Sequence, residues 1–235
     1  MPIPAILLAA GKGTRLRPLT DSIPKCLAPI NGRPLLDFWI TACHEAKFAP
    51  IIINTHYLAD LVREHVQNSP LGRHIVLTHE KELLGTGGTI LALKERLDKG
   101  TFFVAHADNL SVFDMEKFLA AHAGRPRGCL MTMLLFETPT PESCGIVSLD
   151  SQGVVQEFHE KIPGIKGTSA NGAVYLMEPE VLPLLGNRGT ANPDISLDLI
   201  PQCLGRIYTF QDVAYHRDIG TMESFIAAQK YVTEL

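Results

Sequence analysis

Residues 5–18, AILLAAGKGTRLRP, contain the pattern that decides the fold. The apolar run Ala5–Ala10 predicts a β-strand that leads directly into a loop with two glycines and three cations. Later apolar runs predict strands, and apolar residues at helical spacing predict helices between them: strands at Ile51–Asn54, Ile75–Thr78 and Phe102–His106, helices over Leu35–Lys47, Leu58–Val66 and Thr89–Leu97. Strands that alternate with helices pair in parallel and build a sheet covered on both faces.

The second half of the chain has a different pattern, because short apolar runs follow one another between turn residues. Gly145–Leu149 and Val154–Phe158 flank the polar segment 150–153, DSQG, which is typical of a β-hairpin. The other predicted elements are strands at Cys129–Phe136, Ala173–Met177, Ile207–Gln211 and Ala214–His216 and helices near Glu180–Leu185 and Met222–Val232. We therefore predict an α/β fold with a Rossmann-like mixed central sheet, parallel in its N-terminal half and extended by antiparallel strands in its C-terminal half. We expect one domain over 1–235, with halves 1–125 and 126–235.

Composition excludes several classes of function. The 235 residues carry a formal charge of −4, which argues against general electrostatic binding to nucleic acid or to an anionic membrane. No apolar run reaches the roughly 18 residues of a membrane span, and Ile3–Ala10 lacks the basic leader of a secretory signal. The five scattered cysteines include no C-x-x-C pair, so we expect a cytoplasmic protein with reduced thiols.

Four cations lie between residues 12 and 25, directly after the first predicted strand: Lys12, Arg15, Arg17 and Lys25. This cluster suits a phosphate ligand, because ligands of open α/β sheets bind at the carboxyl ends of strands and glycine amides can approach a phosphate closely. The third glycine of the dinucleotide fingerprint and the G-x-x-x-x-G-K-[ST] of P-loop NTPases are both absent. A surface turn with solvated charges is the alternative.

The glycine loop and its continuation resemble a family signature. Residues 8–20, LAAGKGTRLRPLT, followed by Pro24-Lys25-x-Leu27-x-Pro29, are similar to the signature of the sugar-1-phosphate nucleotidyltransferases, also called NDP-sugar pyrophosphorylases. The resemblance implies the nucleotide-diphosphosugar transferase fold and transfer of a nucleotidyl group from a nucleoside triphosphate to a sugar 1-phosphate, with Mg²⁺ as cofactor. Because the attacking phosphate is already anionic, this reaction needs alignment and charge stabilisation rather than a protein nucleophile.

The resemblance also implies roles on the nucleotide side. Arg15 would hold the departing β- and γ-phosphates, and Lys25 would reach the α-phosphate. A planar guanidinium suits two-oxygen contacts, and an ammonium supplies one concentrated charge. The nucleotide would further contact Ala9, Ala10, Gly11, Gly13, Glu80, Gly85 and Thr86. Without the family, the last two residues are equally well explained as a loop that enters a helix.

Two aspartates far apart in the sequence are candidate metal ligands. Asp108 follows the predicted strand Phe102–His106, and Asp218 precedes the last predicted helix. The resemblance pairs them as Mg²⁺ ligands, and Mg²⁺ typically takes one or two carboxylates together with waters and substrate phosphates. Capping of a turn or helix is the alternative for each. The family often has glycine before the first acid, where this chain has Ala107.

The sugar-phosphate side is implied by three motifs of the second half, Cys144-Gly145-Ile-Val147, Phe158-x-Glu160-Lys161 and Asn171-Gly172. Glu160 would accept sugar hydroxyl protons, Lys161 would attract the sugar phosphate, and Gly145 and Asn171 would lie against the sugar. A strand-end ion pair and a turn are the respective alternatives. The family's usual Asn-x-Gly order appears here as Asn171-Gly172-Ala173.

The resemblance leaves the substrate pair open. Residues 84–88, LGTGG, are most similar to the segment in mannose- and heptose-1-phosphate guanylyltransferases, which favours GTP with one of those sugars. Uridylyl-, thymidylyl- and cytidylyltransferases are alternatives, among them short N-acetylmuramate-1-phosphate uridylyltransferase-like members. A non-catalytic regulatory homologue that binds nucleotide sugars is another, disfavoured because both cations and both acids are retained. We expect no C-terminal β-helix domain, and a homo-oligomer is left open.

Overall fold

The computed structural model describes residues 2–186 and 189–234. In chain order its strands and helices are β1 (Ala5–Leu8), β2 (Pro29–Ile30), β3 (Arg33–Pro34), α1 (Leu35–Glu45), β4 (Ile51–Thr55), α2 (Ala59–Asn68), β5 (Ile75–His79), α3 (Thr86–Ala92), α4 (Lys94–Leu97), β6 (Phe102–His106), β7 (Asn109–Phe113), α5 (Met115–Ala123), β8 (Met131–Glu137), β9 (Gly145–Leu149), β10 (Val155–Glu160), β11 (Ser169–Met177), α6 (Val181–Gly186), β12 (Ile207–Phe210), β13 (Val213–Asp218) and α7 (Met222–Thr233). Among the described helices, none is both long enough and apolar enough to cross a membrane.

The chain divides into two compact units whose segments are interleaved in the sequence. The first comprises the N-terminal segment through Leu83, Ala105–Val112 and the C-terminal segment from Tyr215. The second comprises Leu84–Val104 and Phe113–Ala214. The division therefore does not follow the predicted boundary at residue 125, and the assignment of one domain with a nucleotide half and a sugar half stays a prediction.

The first unit is built on the parallel strands β1, β4 and β5. Ala5 lies opposite Ile51, and Ile51 lies opposite Ile75, so the three strands run in register from their first residues. Strands β1 and β4 are buried along their whole length, as the continuous apolar runs of a parallel sheet require. Their carboxyl ends therefore open together at one edge, where the glycine loop begins.

The second unit contains a mixed sheet. Strands β9 and β10 form the predicted hairpin, with Val155 opposite Leu149, and β11 pairs antiparallel with both β9 and β8. Strand β12 adds to β8 in parallel, with Ile207 opposite Met131. Together with the parallel strands of the first unit, this arrangement confirms the predicted α/β class with a mixed central sheet.

Strands β2, β3 and β7 and helix α5 were not predicted, and several predicted elements have different bounds. Strand β7 and helix α5 lie in residues 109–123, where Asp114 caps α5 by accepting a hydrogen bond from the amide of Lys117 at 3.0 Å. The helix predicted over Thr89–Leu97 begins earlier, at Thr86, and is divided at Leu93 into α3 and α4. Strand β7 matters for the site because it begins directly after Asp108.

Strand β11 contains a bulge between Asn171 and Tyr175, where its register against β8 shifts. Ala173 in this bulge has a φ of 53°, and its amide donates to the side-chain oxygen of Asn171 at 2.9 Å. The left-handed region costs a residue with a Cβ roughly 1–2 kcal/mol. The backbone thus has the conformation that the glycine of the family's usual Asn-x-Gly order would adopt freely, and Ala173 adopts it under strain.

We expect Ala173→Gly to raise the free energy of unfolding by about 0.5–1 kcal/mol, because the relieved strain exceeds the added entropy of the unfolded chain. Urea unfolding measures the change as a higher midpoint at an unchanged slope. Ala214→Gly is the matched control, since Ala214 is an exposed strand residue outside the positive-φ positions. The control should lose about 0.5–1 kcal/mol. A loss of the same size in both variants would show that Ala173 is not strained.

Candidate active site

Four charged side chains from separate segments of the first unit form one ion cluster. The Lys25 ammonium donates to Asp108 Oδ2 at 2.8 Å and to Asp218 Oδ1 at 2.5 Å, and the Arg15 guanidinium donates to Asp218 Oδ2 at 3.3 Å. The Lys25 side chain is only 6% exposed, whereas that of Arg15 is 70% exposed. Both predicted catalytic cations and both predicted metal ligands are therefore brought together.

Buried apolar neighbours hold these charged residues in place. Leu16 follows Arg15 in a single helical turn, Thr14–Leu16, and Ile219 follows Asp218 at the end of β13. Both apolar side chains are fully buried in the same hydrophobic cluster of the first unit. That cluster also contains Ala28, Ile30, Leu35, Leu110 and Ala228. Arg15 and Asp218 thus project from backbone segments that a buried neighbour anchors.

Strands β7 and β13 form a two-stranded ribbon that brings the two acids together. The amide of Ile219 donates to the carbonyl oxygen of Asp108 at 3.4 Å, and Ser111 Oγ lies 2.9 Å from His216 Nδ1. These contacts advance along β7 while they retreat along β13, so the ribbon runs antiparallel. Asp108, directly before β7, therefore lies close to Asp218 at the end of β13.

The glycine loop packs against Lys25 at Gly13. Gly13 has a φ of 61°, and a Cβ there would lie 2.9 Å from the Cβ of Lys25. The Thr20 hydroxyl donates to the carbonyl oxygen of Gly13 at 2.8 Å, and the Tyr57 hydroxyl donates to that of Thr20 at 2.8 Å. Gly220 has a similar role that the sequence did not indicate, because its Cβ would lie 2.8 Å from both Arg15 and Asp218.

The electrostatics of the cluster keep its central members charged. Burial lowers the pKa of the Lys25 ammonium, but Asp108 and Asp218 outweigh burial and leave that pKa raised above its usual value. Burial also raises the pKa of the Asp108 carboxyl, but Lys25 and His106 reverse that effect and leave it below its usual value. The neighbouring Cys26 thiol has its pKa raised to about 12 by burial, so it is neutral and unreactive at neutral pH.

The two carboxylates fit a small hard cation. Asp108 and Asp218 both bond to one nitrogen atom, so their oxygens are close enough to share a cation, and carboxylate oxygen is a preferred ligand of Mg²⁺. Within residues 2–186 and 189–234, no group of three or more His, Cys, Asp or Glu could hold a metal ion. The donor set therefore suits an ion that takes one or two carboxylates and fills its remaining positions with water or substrate oxygens.

The capping alternative for Asp218 is wrong. The N-cap of α7 is Thr221, whose hydroxyl oxygen accepts from the amide of Ser224 at 3.2 Å. Asp218 stands three residues earlier and bonds to Lys25 and Arg15 instead.

Two of the predicted nucleotide residues, Ala9 and Gly11, line a pocket together with Lys25. A small pocket is lined by Leu8, Ala9, Gly11, Lys25, Cys26 and Asp108. The amide of Ala9 donates to Asn54 Oδ1 at 2.7 Å, and Asn54 Nδ2 donates to Glu80 Oε1 at 2.8 Å. Asn54 was not among the predicted site residues, although a polar residue at the carboxyl end of the apolar run Ile51–Ile53 was a usable signal.

The glycine-rich segment of the second unit packs on residues 192–195. Gly85 has a φ of 76°, and a Cβ there would lie 2.6 Å from the carbonyl oxygen of Pro193. The Thr86 hydroxyl donates to Asp194 Oδ2 at 2.9 Å and accepts from the amide of Ile195 at 2.8 Å. The amides of Gly87 and Gly88 both donate to the carbonyl oxygen of Pro193. The amides of Gly87 and Gly88 therefore already have an acceptor, and the predicted contact of Gly85 and Thr86 with a nucleotide stays a prediction.

The predicted sugar-phosphate residues lie at neighbouring positions of the second unit. Gly145 is the cross-strand partner of Glu160, and Ala170, next to Asn171, is the partner of Ile146, next to Gly145. A Cβ at Gly145 would lie 2.6 Å from Glu160 Oε2. Lys161 and Glu160 form the strand-end ion pair that was the alternative for them, at 3.0 Å, and their roles toward a sugar phosphate stay a prediction. Asn171 lies in the bulge rather than in a turn, and its side-chain Nδ2 donates to the Tyr175 hydroxyl at 2.8 Å.

An α/β sheet with a basic glycine loop and paired acids at its strand ends is typical of proteins that bind ligands at this edge of the sheet. Residues 4–234 match the model of the nucleotidyl transferase family, and the chain belongs to that family. This confirms the membership predicted from the glycine loop.

Similar proteins include mannose-1-phosphate guanylyltransferases. The chain is 30% identical over 229 residues to mannose-1-phosphate guanyltransferase beta-A of Xenopus laevis and 32% identical over 227 residues to mannose-1-phosphate guanylyltransferase of Mycobacterium tuberculosis. These matches cover 94% and 95% of the chain but only 62% and 63% of the relatives. The chain thus spans less than two thirds of their length.

Solved structures of the same fold cover nearly the whole chain. HddC from Yersinia pseudotuberculosis complexed with GMP-PN has a TM-score of 0.81 at 24% identity, with 98% of this chain and 99% of that chain covered. A UDP-glucose pyrophosphorylase complexed with UDP-glucose has a TM-score of 0.82 at 20% identity, with 100% and 99% covered. These similarities establish the fold.

We expect Gly13→Ala to lower the free energy of unfolding by about 1–3 kcal/mol, because the new methyl group meets Lys25 and the positive φ disfavours it. Gly11→Ala is the matched control, since a Cβ there meets nothing within 4 Å. Its change should stay below about 0.5 kcal/mol. Thermal and urea unfolding of both variants measure the difference, and equal stability would contradict the close packing at Gly13.

Proposed function

We propose that this protein transfers a nucleotidyl group from a nucleoside triphosphate to a sugar 1-phosphate, giving an NDP-sugar and pyrophosphate. The observation that carries the proposal is the convergence of Arg15, Lys25, Asp108 and Asp218 from four chain segments into one cluster. Such a cluster can neutralise phosphates and hold a divalent cation, which are the needs of phosphoryl-group transfer. Family membership and the names of the relatives agree with it.

On this proposal Arg15 and Lys25 bind different phosphates of the nucleoside triphosphate. Arg15 is exposed and planar, so it would bind the β- and γ-phosphates that leave as pyrophosphate. Lys25 is buried beside the pocket, so it would direct its charge to the α-phosphate, where it is weakly screened. Both would stabilise charge as it grows on the phosphate oxygens in the transition state.

Asp108 and Asp218 would hold Mg²⁺. When bound, this ion neutralises phosphate charge and fixes the orientation of the reacting groups. The protein itself contributes the ribbon of β7 and β13, which places the two carboxylates side by side before any ligand binds. This preorganisation spares the reaction the cost of bringing two like charges together.

The sugar 1-phosphate would bind in the second unit at Gly145, Glu160, Lys161 and Asn171. Glu160 accepts hydrogen bonds from hydroxyls, and Lys161 offers a side chain 64% exposed that can meet a phosphate. The close approach of Gly145 to Glu160 leaves no room for a larger residue beside the acid. A sugar phosphate could thus donate hydroxyl protons to Glu160 and pair its phosphate with Lys161.

We prefer GTP as the nucleotide, with mannose or heptose 1-phosphate as its partner. Glu80 is buried and would face the base, and a carboxylate can accept from both the N1–H and the amino group of guanine. Uracil and thymine offer a single N–H between two carbonyls, which suits a carboxylate poorly. The relatives' names and the nucleotide bound to HddC point the same way. We also infer a cytoplasmic location, because all five cysteines are free thiols.

Pyrophosphate release tests this proposal. GTP, UTP, dTTP and CTP are each incubated with Mg²⁺ and mannose, heptose, glucose or N-acetylmuramate 1-phosphate. We expect release to require both substrates and to be highest with GTP and mannose or heptose 1-phosphate. Release with another pair would keep the reaction class and correct the substrates, whereas no release with any pair would overturn the proposal.

Lys25→Ala should lower kcat/KM at least 100-fold, because a buried charge aimed at the reacting phosphate is lost. Asp108→Asn should raise the Mg²⁺ concentration that gives half-maximal rate by 10-fold or more. Lys117→Ala is the control, since Lys117 pairs with Asp212 on the surface of the second unit. Near-normal kinetics in both site variants would contradict the assigned roles.

Glu160→Gln should raise the KM for the sugar 1-phosphate about 10-fold and change the KM for the nucleotide less than 2-fold, because one charged acceptor is lost. Glu157→Gln on the same strand is the matched control, since the Glu157 side chain is 64% exposed. Equal effects on the two KM values would place Glu160 outside the sugar site.

A further inference from the structure

Lys25 occupies the position that a cation shared by the two acids would need. Its ammonium is within hydrogen-bond distance of both Asp108 and Asp218, and the two acids stand 83 and 193 residues away along the chain. Arg15 makes a second contact to Asp218. The acids that the proposed function gives to a metal are thus already paired with cations of the protein itself.

The charge of this cluster is balanced. Two cations face two carboxylates, so the formal charge of the four side chains is zero. A divalent ion that displaced Lys25 would leave a nearly buried ammonium without a partner, and an unpaired buried charge is strongly unfavourable. The same ion would find no net negative charge to attract it. Free protein should therefore bind a divalent cation weakly.

A polyphosphate changes this balance. Its oxygens offer Lys25 and Arg15 new anionic partners, and both acids are then free to bind a metal. We propose that Lys25 is an internal counter-ion that makes cation binding at Asp108 and Asp218 conditional on an anionic ligand. The identity of that ligand as a nucleoside triphosphate rests on the proposed function. By linkage, cation and polyphosphate each raise the affinity for the other.

Titration with Mn²⁺ in the absence of nucleotide tests the inference, with unbound Mn²⁺ measured by electron paramagnetic resonance. The wild-type protein should bind with a dissociation constant of roughly 1 mM or weaker, in the range of weak carboxylate sites. Lys25→Met should bind at least 10-fold more tightly, because both carboxylates lose their competing cation. A gain of this size lies within the usual range of coupling between sites.

Three further variants separate the counter-ion from a general charge effect. Lys25→Arg keeps the charge and should stay within about 3-fold of the wild type. Lys12→Met removes an exposed cation from the same loop and should change affinity less than 2-fold, because an exposed charge is well screened. Lys25→Met combined with Asp108→Asn should lose the gain, which would locate the tight site at these acids.

The inference fails if wild-type protein binds Mn²⁺ tightly, a measurement that needs no variant to fold. It also fails if folded Lys25→Met, checked by circular dichroism, binds no more tightly than wild type. Mn²⁺ binding is read without turnover, so the two proposals can fail separately. If the wild type releases pyrophosphate but Lys25→Met binds Mn²⁺ no more tightly, only the counter-ion proposal is contradicted. If Lys25→Met binds Mn²⁺ more tightly but the wild type releases no pyrophosphate, only the proposed transferase activity is contradicted.

Discussion

The buried ammonium of Lys25 is the constraint on which the candidate site depends. A charge this far from water needs anionic partners, and the fold supplies two of them from distant parts of the chain. Their placement fixes the end of β13, the start of β7 and the turn that carries Lys25. The Lys25 side chain can therefore be buried only if the site has this geometry.

Apolar packing makes this arrangement rigid. Leu16, Leu110 and Ile219 belong to one fully buried cluster, and each lies within two residues of a member of the ion cluster. Gly13 and Gly220 permit the close approach, because a methyl group at either position would collide with the charged side chains or their stems. The same few backbone segments therefore determine both the core packing and the positions of the charged side chains. A substitution that disturbs the packing also displaces those charges.

The sequence predicted elements well where periodicity was local. The apolar runs of β1, β4 and β5 and the hairpin of β9 and β10 were found from their own residues and turn. Strand β7 was missed because its partner β13 lies about 100 residues later, and no local pattern indicates that pairing. Asn54 was missed although it follows the apolar run Ile51–Ile53, because its hydrogen bonds to Ala9 and Glu80 join residues that only the folded sheet makes neighbours.

The sequence by itself determined the family, the α/β class and the identities of the charged residues, because these depend on the order of residue types along the chain. Only the tertiary structure decided which charges meet. It placed one lysine between two acids and turned the amides of Gly87 and Gly88 toward Pro193. Pairing of this kind depends on distances between segments far apart in the chain, and those distances exist only after the strands have folded together.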